Sequence, residues 1–283
     1  MKIFVLLIFM SNVVTACANL SNPSISDLPA ATYLNVSYGA DPKQLLDVHL
    51  PAQRTAAVTK VMFLIHGGGW SGGDKSEFYA YIDSLKKHLP GFAFINVNYR
   101  LANFSNNKFP AQEIDVKAAI GFVMDKQEEY NISRKVVLLG TSAGAHLALL
   151  QGYKNTEPVQ AQAVISFFGP TDIVDIYKNP PNPQVPFLLQ ILMGGTPAEK
   201  PDNYLQASPV HFVTPQTCPT LLFQGGRDAL VNPRQANLLK DKLQKAGVPN
   251  ELIIYPHEGH GWRGMNLGDS FTKLKRFLEE HVN

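Results

Sequence analysis

Short apolar runs recur along the chain and constrain its fold more than any other feature. Most of these runs are continuously apolar rather than alternating, which is typical of strands that are covered on both faces of a sheet. The pattern therefore predicts the buried strands of a mostly parallel sheet. The runs span residues 45–50, 61–65, 92–97, 136–139, 163–168, 220–223 and 252–255.

Segments with helical spacing lie between several of these runs. Residues 114–127, 233–246 and 271–281 place apolar side chains three or four positions apart, as one buried helix face requires. At 283 residues and 45% hydrophobic content, the chain is large enough for a full core. Strands that alternate with helices predict an α/β fold with a doubly wound, mostly parallel sheet and helices on both faces.

Charge argues against a nucleic-acid partner. The chain carries 25 Lys and Arg against 23 Asp and Glu, a formal net charge of +2, without a basic block. A protein that follows a phosphate backbone concentrates its cations along one surface. We therefore expect no nucleic acid among the partners, and a small molecule as the ligand.

The first residues are expected to lie outside the folded domain. An unbroken apolar run at residues 3–10 follows a basic residue, Lys2. That run is too short to cross a bilayer core of about 30 Å as a helix, but it suits the apolar region of an export signal. We therefore predict a signal peptide at residues 1–16 and an exported protein.

A cysteine directly after this segment refines the prediction. Val14-Thr15-Ala16-Cys17 resembles the lipobox of bacterial lipoproteins, whose cysteine is lipidated and becomes the new N-terminus. We predict Cys17 as a lipidation site that anchors the protein to a membrane of the cell envelope. A tether at residues 17–31 and a catalytic domain at residues 32–283 would follow. The alternative is an ordinary signal peptide, with Cys17 incidental.

A serine flanked by glycines follows the run at 136–139. Gly140-Thr141-Ser142-Ala143-Gly144 stands between a predicted strand and a helix-like segment at 145–150. A serine on such a tight strand-to-helix turn projects its hydroxyl group, and its neighbours two positions away must be small because the chain folds back closely. The context predicts Ser142 as a nucleophile.

A serine nucleophile needs a base, and the base needs an orienting acid. Asp228 follows one apolar run, and His257 and His260 follow the last one, so the order Ser, Asp, His matches a nucleophile-elbow fold. We predict Asp228 as the acid and His260 as the base, because glycines on both sides of His260 allow close approach. His257 remains a chemical alternative for the base, and Asp172 or Asp175 for the acid.

A glycine-rich loop follows the run at 61–65. His66-Gly67-Gly68-Gly69-Trp70 supplies backbone N–H groups for a developing oxyanion. We predict the N–H groups of Gly68, Gly69 and Ala143 as the oxyanion donors. Phosphate binding is a weaker interpretation, because no Lys-Ser/Thr pair follows the loop as in a P-loop.

The side chains around these residues allow several interpretations. Trp70 and Trp262 flank the predicted site and are candidates for the substrate pocket, although aromatic core packing is an equal alternative. Cys218 precedes an apolar strand, which favours a buried, unreactive thiol over a nucleophile. The histidines lack the neighbouring ligands of a metal site, and the predicted reaction needs no metal and no other cofactor.

Taken together, the motifs resemble a known family. Over residues 32–283 they are similar to the α/β-hydrolase bacterial carboxylesterases, a group with acetyl-xylan and feruloyl esterase-like members close to the hormone-sensitive-lipase family. The resemblance implies an α/β-hydrolase fold, Ser142 as nucleophile, His260 as base, Asp228 as acid, and Gly68, Gly69 and Ala143 lining the oxyanion hole. The motifs are HGGGW, SGGDK, NVNYRLA, FPAQ, GTSAGAHLA, FFGPTD, ASPV, GGRDALVNP and HEGHGW.

Two departures from the hormone-sensitive-lipase pattern concern the cap over the site. Few residues precede the first predicted strand, and the residue before Ser142 is Thr141 rather than aspartate. We therefore expect a minimal cap. The apolar segment at 187–193 is either a small lid or a helix packed on the sheet.

The function expected from these residues is hydrolysis of short-chain carboxylic esters by a serine carboxylesterase through an acyl-enzyme. The substrate would be a small-molecule ester or an acylated carbohydrate. An arylformamidase, another amidase or a peptidase would use the same three residues. A non-catalytic surface module that binds carbohydrate or a partner protein is the alternative from a different class.

Overall fold

The structure, a computed structural model of the chain, describes residues 27–282. The predicted signal peptide at residues 1–16, Cys17 and most of the predicted tether lie outside this range. Among the described residues, no helix combines the length and the apolarity needed to cross a bilayer.

A sheet of eight strands, in the order β1-β2-β4-β3-β5-β6-β7-β8, forms the centre of the described range. β2 pairs antiparallel with β1 and β4, and all the other neighbouring strands are parallel. The predicted mostly parallel sheet is confirmed. The strands are β1 (Ala31–Ser37), β2 (Leu45–Leu50), β3 (Lys60–Ile65), β4 (Phe92–Val97), β5 (Val136–Thr141), β6 (Ala163–Phe167), β7 (Thr220–Gly225) and β8 (Asn250–Tyr255).

Each predicted apolar run is a strand, but β1 was missed. β1 lies at the edge of the sheet, most of its side chains are exposed, and its pairing with β2 shifts register between Tyr33 and Val36. An exposed edge strand needs neither a continuous nor an alternating apolar pattern, so the sequence carried no signal for it. β1 begins at Ala31, one residue before the predicted domain boundary.

Helices cover both faces of this sheet. The cluster of buried side chains on one face includes residues of α2, α4 and α8, and the cluster on the other face includes residues of α1 and α9. The predicted doubly wound arrangement is therefore confirmed. The helices are α1 (Tyr79–His88), α2 (Ala111–Asp125), α3 (Gln127–Tyr130), α4 (Ala143–Lys154), α5 (Ile173–Lys178), α6 (Gln184–Met193), α7 (Pro201–Gln206), α8 (Arg234–Lys245) and α9 (Gly264–His281).

The three short helices α5, α6 and α7 lie between β6 and β7, and we call residues 173–206 the cap. α6 buries Leu189, Leu192 and Met193, whereas its Phe187 is exposed. Leu188 and Leu189 line a cavity at the edge of the sheet. The segment at 187–193 is thus a packed helix, and two of its residues also form part of the cavity wall.

Candidate active site

The carboxyl ends of the parallel strands bring the predicted residues to one edge of the sheet. The glycine-rich loop follows β3, Ser142 follows β5, Asp228 follows β7, and His260 follows β8. Loops at this edge of an α/β sheet form the ligand crevice because adjacent parallel strands end side by side. Residues separated by more than a hundred positions in the chain therefore become neighbours.

Ser142 occupies a strained turn between β5 and α4. Its backbone has φ 52° and ψ −119°, an unfavourable region for a residue with a Cβ. A Cβ on Gly144 would lie only 2.0 Å from the carbonyl oxygen of Ile65, so no larger residue fits there. The Ser142 N–H donates to the carbonyl of Phe167 at 2.9 Å, which holds the strained residue in place.

Ser142, His260 and Asp228 form one hydrogen-bonded chain. The Oγ of Ser142 lies 2.9 Å from Nε2 of His260, and Nδ1 of His260 lies 2.8 Å from Oδ2 of Asp228. A carboxylate only accepts hydrogen bonds, so Nδ1 carries the hydrogen, and Nε2 is left to accept the serine proton. This is the arrangement that activates a serine for attack on a carbonyl group.

The Asp228 carboxylate is fixed from several directions. Its side chain is fully buried. Oδ1 accepts the N–H groups of Leu230 and Val231 at 2.8 and 2.9 Å, and Oδ2 also accepts from the side-chain amide of Gln224 at 3.0 Å. Because these donors hold both oxygens, the carboxylate cannot turn away from the imidazole ring.

The alternative acids and base lie elsewhere and serve other elements. Nδ1 of the exposed His257 lies 3.3 Å from the guanidinium group of Arg227. Asp172 accepts the N–H of Asp175 at the start of α5, and Asp175 itself pairs with Arg234 at 3.1 Å. None of the three replaces Asp228 or His260 in the hydrogen-bonded chain.

The glycine-rich loop presents unused donors. Gly68 and Gly69 have positive φ angles of 93° and 57°, and both line the same cavity as Ser142. Among residues 27–282, no hydrogen bond engages the N–H of Gly68, of Gly69 or of Ala143. The N–H of Gly67 differs, because it donates to Oε2 of Glu77 at 3.2 Å. The N–H groups of Gly68 and Gly69 are therefore available to a ligand in the cavity, and Ala143, directly after Ser142, also keeps an N–H without a partner among the described residues.

Two further side chains, those of Tyr99 and Glu77, hold the glycine-rich loop in place. The hydroxyl group of Tyr99 lies 3.0 Å from the carbonyl oxygens of both His66 and Gly67, and its ring stacks on His66 at 4.3 Å. Burial raises the pKa of Glu77, and the Gly67 N–H partly opposes that rise. Glu77 reaches the loop only through the turn of 3₁₀ helix at Lys75–Phe78 and had no sequence signal.

The cavity beside Ser142 has a volume of about 870 Å³ and two chemically different walls. One wall is largely aliphatic, with Trp70 as its aromatic member, and packs against the core cluster of α2, α4 and α8. The other is largely aromatic and packs against the cluster of α1 and α9. The aliphatic side chains are Ile176, Val185, Leu188, Leu189 and Val231, and the aromatic ones are Phe78, Tyr81, Phe167, Phe168, Trp262 and Phe271.

Both tryptophans predicted for the pocket line this cavity, but each is largely buried. The indole N–H of Trp70 donates to Nδ1 of His146 at 3.1 Å, and that of Trp262 donates to Oγ of Ser270 at 2.8 Å. Their polar edges are therefore used within the protein, which leaves only the apolar surfaces of the rings for a ligand.

Cys218 has no place in the site. Its side chain is buried just before β7, and burial raises the pKa of its thiol to about 12. The thiol therefore stays protonated at neutral pH, as expected for an unreactive cysteine.

Comparison with known proteins gives a consistent picture. Residues 46–243 match the BD-FAE family. The chain is 28% identical over 264 residues to the esterase LipC of Mycobacterium tuberculosis, covering 87% of this chain and 64% of LipC. It spans about half to two thirds of the length of the curated relatives that it matches first.

Solved structures with the same fold include a carbohydrate esterase. A bifunctional GH43-CE protein of Bacteroides eggerthii superposes with a TM-score of 0.77 and 25% identity, covering 89% of this chain and 38% of that one. A truncated carbohydrate esterase from gut microbiota superposes with a TM-score of 0.74 and 26% identity, covering 88% and 98% of the two chains. The α/β-hydrolase resemblance indicated by the motifs is confirmed.

Proposed function

The chain belongs to the BD-FAE family of α/β-hydrolase esterases, and from this premise we propose that it is a serine carboxylesterase acting on short-chain carboxylic esters through an acyl-enzyme. The observation that carries the proposal is the chain of hydrogen bonds from Ser142 through His260 to Asp228. Ser142 and His260 line a cavity in which the backbone N–H groups of Gly68 and Gly69 are also free to donate.

The geometry supports two displacement steps. Oγ of Ser142 bonds to the ester carbonyl carbon as its proton passes to Nε2 of His260. The carbonyl oxygen becomes an oxyanion, which the N–H groups of Gly68, Gly69 and Ala143 stabilise. His260 then returns the proton to the departing alcohol oxygen. A water molecule repeats the sequence on the acyl-enzyme, releasing the acid and restoring Ser142.

The substrate that we propose is a small ester or an acylated carbohydrate. The names of the structural relatives, which are a carbohydrate esterase and a GH43-CE protein, support the second class. The aliphatic wall under the cap suits an acyl chain, because it offers no hydrogen-bonding side chain to a polar group.

The test is hydrolysis of p-nitrophenyl esters from acetate to palmitate by residues 21–283, beside the Ser142→Ala variant. Short esters should be turned over by the wild-type protein, and the variant should lose at least ~10³-fold in kcat. An aryl formamide, a peptide substrate and acetylated xylan belong in the same assay. Turnover of the formamide or the peptide alone would replace the esterase by an amidase or a peptidase. No turnover by the folded protein would favour a binding module.

We also propose that the protein is an exported lipoprotein anchored through Cys17. The support is the lipobox-like sequence before that cysteine. The test is incorporation of labelled palmitate by the full chain expressed in a Gram-negative host, with the Cys17→Ser variant as the control. If both proteins are exported and the wild type carries no more label than Cys17→Ser, an ordinary signal peptide is favoured instead.

A further inference from the structure

A buried histidine that the proposed reaction does not use lies one helical turn after Ser142. His146 is on α4, and its side chain is completely inaccessible to solvent. Burial, reinforced by the charge of Lys154, lowers the pKa of the ring to about 4. At the pH of an esterase assay the ring is therefore neutral, with one nitrogen that donates and one that accepts.

Both ring nitrogens are engaged, and their partners determine the tautomer. Nε2 lies 2.6 Å from the carbonyl oxygen of Ala207, which only accepts, so Nε2 carries the hydrogen. Nδ1 lies 3.1 Å from Nε1 of Trp70, which only donates, so Nδ1 accepts. Ala207 directly follows α7, and Trp70 directly follows Gly69. His146 thus connects the end of the cap to the glycine-rich loop.

Trp70 needs such an anchor because its backbone is strained. Its φ of 58° follows the positive φ angles of Gly68 and Gly69, and a bulky side chain is a genuine outlier in this region. Strain of this kind persists only where the surroundings hold the residue. Here the Trp70 carbonyl accepts the N–H of Ala102 at 2.8 Å, and the indole N–H is held by His146.

The direction of the Gly69 N–H depends on the same stretch of backbone. If Trp70 relaxed to a negative φ, the preceding peptide groups would rotate, and the two donors predicted for the oxyanion would turn with them. The cap also touches this loop at a second place. A methyl carbon of Leu188 lies 2.7 Å from the position that a Cβ on Gly69 would occupy.

We propose that His146 is a positioning residue for the oxyanion donors: it holds Trp70 in its strained conformation, while its bond to Ala207 fixes the ring for that task. The inference rests on the proposed esterase function. A positioning residue of this kind affects stabilisation of the transition state more than binding of the substrate, so its loss lowers kcat more than it raises KM.

Three substitutions separate the two hydrogen bonds. His146→Asn places an amide oxygen near the position of Nδ1 and keeps an acceptor for Trp70. His146→Gln places an amide nitrogen near the position of Nε2 and keeps the donor to Ala207. His146→Leu removes both bonds. Assayed with p-nitrophenyl acetate, the Leu and Gln variants should lose at least about tenfold in kcat with KM nearly unchanged, whereas the Asn variant should retain most of its kcat.

The matched control is His49→Asn. His49 is also largely buried, but it lies on β2, two strands away from β3 in the sheet, and contacts Thr32 of β1 rather than the glycine-rich loop. This variant should keep the wild-type kcat. A His146→Leu protein with wild-type kcat, or equal losses in the Asn and Gln variants, would overturn the proposal.

Trp70→Phe removes the same hydrogen bond through its donor, the indole N–H. It keeps the proposal testable if a His146 variant does not fold. It removes the indole donor while His146 keeps Ala207, so its loss of kcat should match that of His146→Gln and should not add to it in the double variant. An unchanged kcat in Trp70→Phe would contradict the proposal.

An NMR measurement is independent of turnover. The indole N–H resonance of Trp70 should move in His146→Gln and in His146→Leu, and should stay near its wild-type position in His49→Asn. If the wild-type protein hydrolyses no ester, the proposed function fails and this role fails with it. If the wild-type protein is active and the resonance does not respond to His146→Leu, only the inference fails.

Discussion

The turn that carries Ser142 and the cap above it are held by different kinds of contact. In the turn, backbone lies against backbone: a Cβ on Gly144 would meet two carbonyl oxygens at 2.0 and 2.3 Å. In the cap, side chains make contacts such as Asp175 with Arg234 and Leu188 with the loop at Gly69, beside a backbone hydrogen bond from the N–H of Phe109 to the carbonyl of Leu192. The turn therefore tolerates almost no change, whereas the cap can vary in its side chains and still cover the site.

Because of this difference, we expect the chemistry to depend on the rigid turn and the choice of substrate to depend on the cap. The chemistry depends on atoms held within a few tenths of an ångström by the edge of the sheet. The substrate meets the cap mainly through apolar surface, where one methylene group changes the preference by only about 1–3 kcal/mol. Substitutions in the two regions should therefore differ in the size of their effects.

The largest contrast compares two carboxylates, one that is hydrogen-bonded to the base of Ser142 and one in the cap. Asp228→Asn should lower kcat by ~10⁴-fold, because an amide no longer fixes the tautomer in which Nε2 of His260 accepts a proton. Asp175→Asn, in the cap, should stay within about threefold of the wild type, because its partners are Arg234 and Gln235 and not the imidazole ring. Steady-state kinetics with p-nitrophenyl acetate measures both. Comparable losses would mean that the cap takes part in the chemistry.

The second contrast compares two glycines. Gly144→Ala should lower the free energy of unfolding by ~3 kcal/mol, because its new methyl group meets the backbone of residues 65 and 66. Gly268→Ala, within α9, meets nothing within 4 Å and should raise stability by roughly 0.5–1 kcal/mol. Urea unfolding measures both changes. Equal stabilities would show that the turn relaxes more easily than its contacts indicate.

The third prediction concerns pH at the junction of the turn and the cap. In the folded protein the pKa of His146 is lowered to about 4, from the ordinary histidine value of 6.5. Between these two pH values the unfolded chain therefore binds more protons than the folded one. The contribution of this histidine is complete above pH 6.5 and is lost as the pH falls towards 4, by up to about 1.4 kcal/mol per pH unit. Urea unfolding from pH 7.5 to 4.5 should show a shallower decline in His146→Gln. Parallel profiles for the two proteins would contradict it.

The smallest effect belongs to the cap. Leu188→Ala should raise the ratio of kcat/KM for p-nitrophenyl hexanoate to that for the acetate by roughly three- to tenfold, because it enlarges the aliphatic wall. The neighbouring Phe187→Ala is the control, since Phe187 is 58% exposed and contacts Phe104 rather than the cavity. An unchanged ratio in Leu188→Ala would place the acyl group against the aromatic wall instead.

Much of the fold was predictable because buried strands appear in the sequence as local apolar runs. β4 is buried at every position, and the run at 92–97, which is apolar except for Asn96, predicted its bounds without error. β1 could not be predicted, because an edge strand exposes most of its side chains and depends on its neighbour for hydrogen bonds. The start of α9 was placed seven residues late, since Gly264 and the exposed Met265 carry no apolar periodicity.

The residues of the candidate site divide in the same way, into those that local sequence reveals and those that only the fold brings to the site. Ser142 and the glycines around it were recognisable because the tight turn requires those residue types at fixed spacing. Glu77 and His146 were not assigned to the site, because each reaches the glycine-rich loop through the fold rather than through its neighbours in sequence. A histidine within the apolar beginning of α4 was the one visible sign.

Apolar runs and glycine spacing were enough to predict the mostly parallel sheet and the succession of serine, aspartate and histidine, because they express local steric and burial requirements. The choice among residues that local sequence leaves equivalent depends on the folded chain. The tertiary structure brings His260 rather than His257 to Ser142, and Asp228 rather than Asp172 or Asp175 to His260. The reason is geometric: hydrogen bonds of 2.8 and 2.9 Å depend on where separate strands end, and strand ends are set by the packing of the whole sheet.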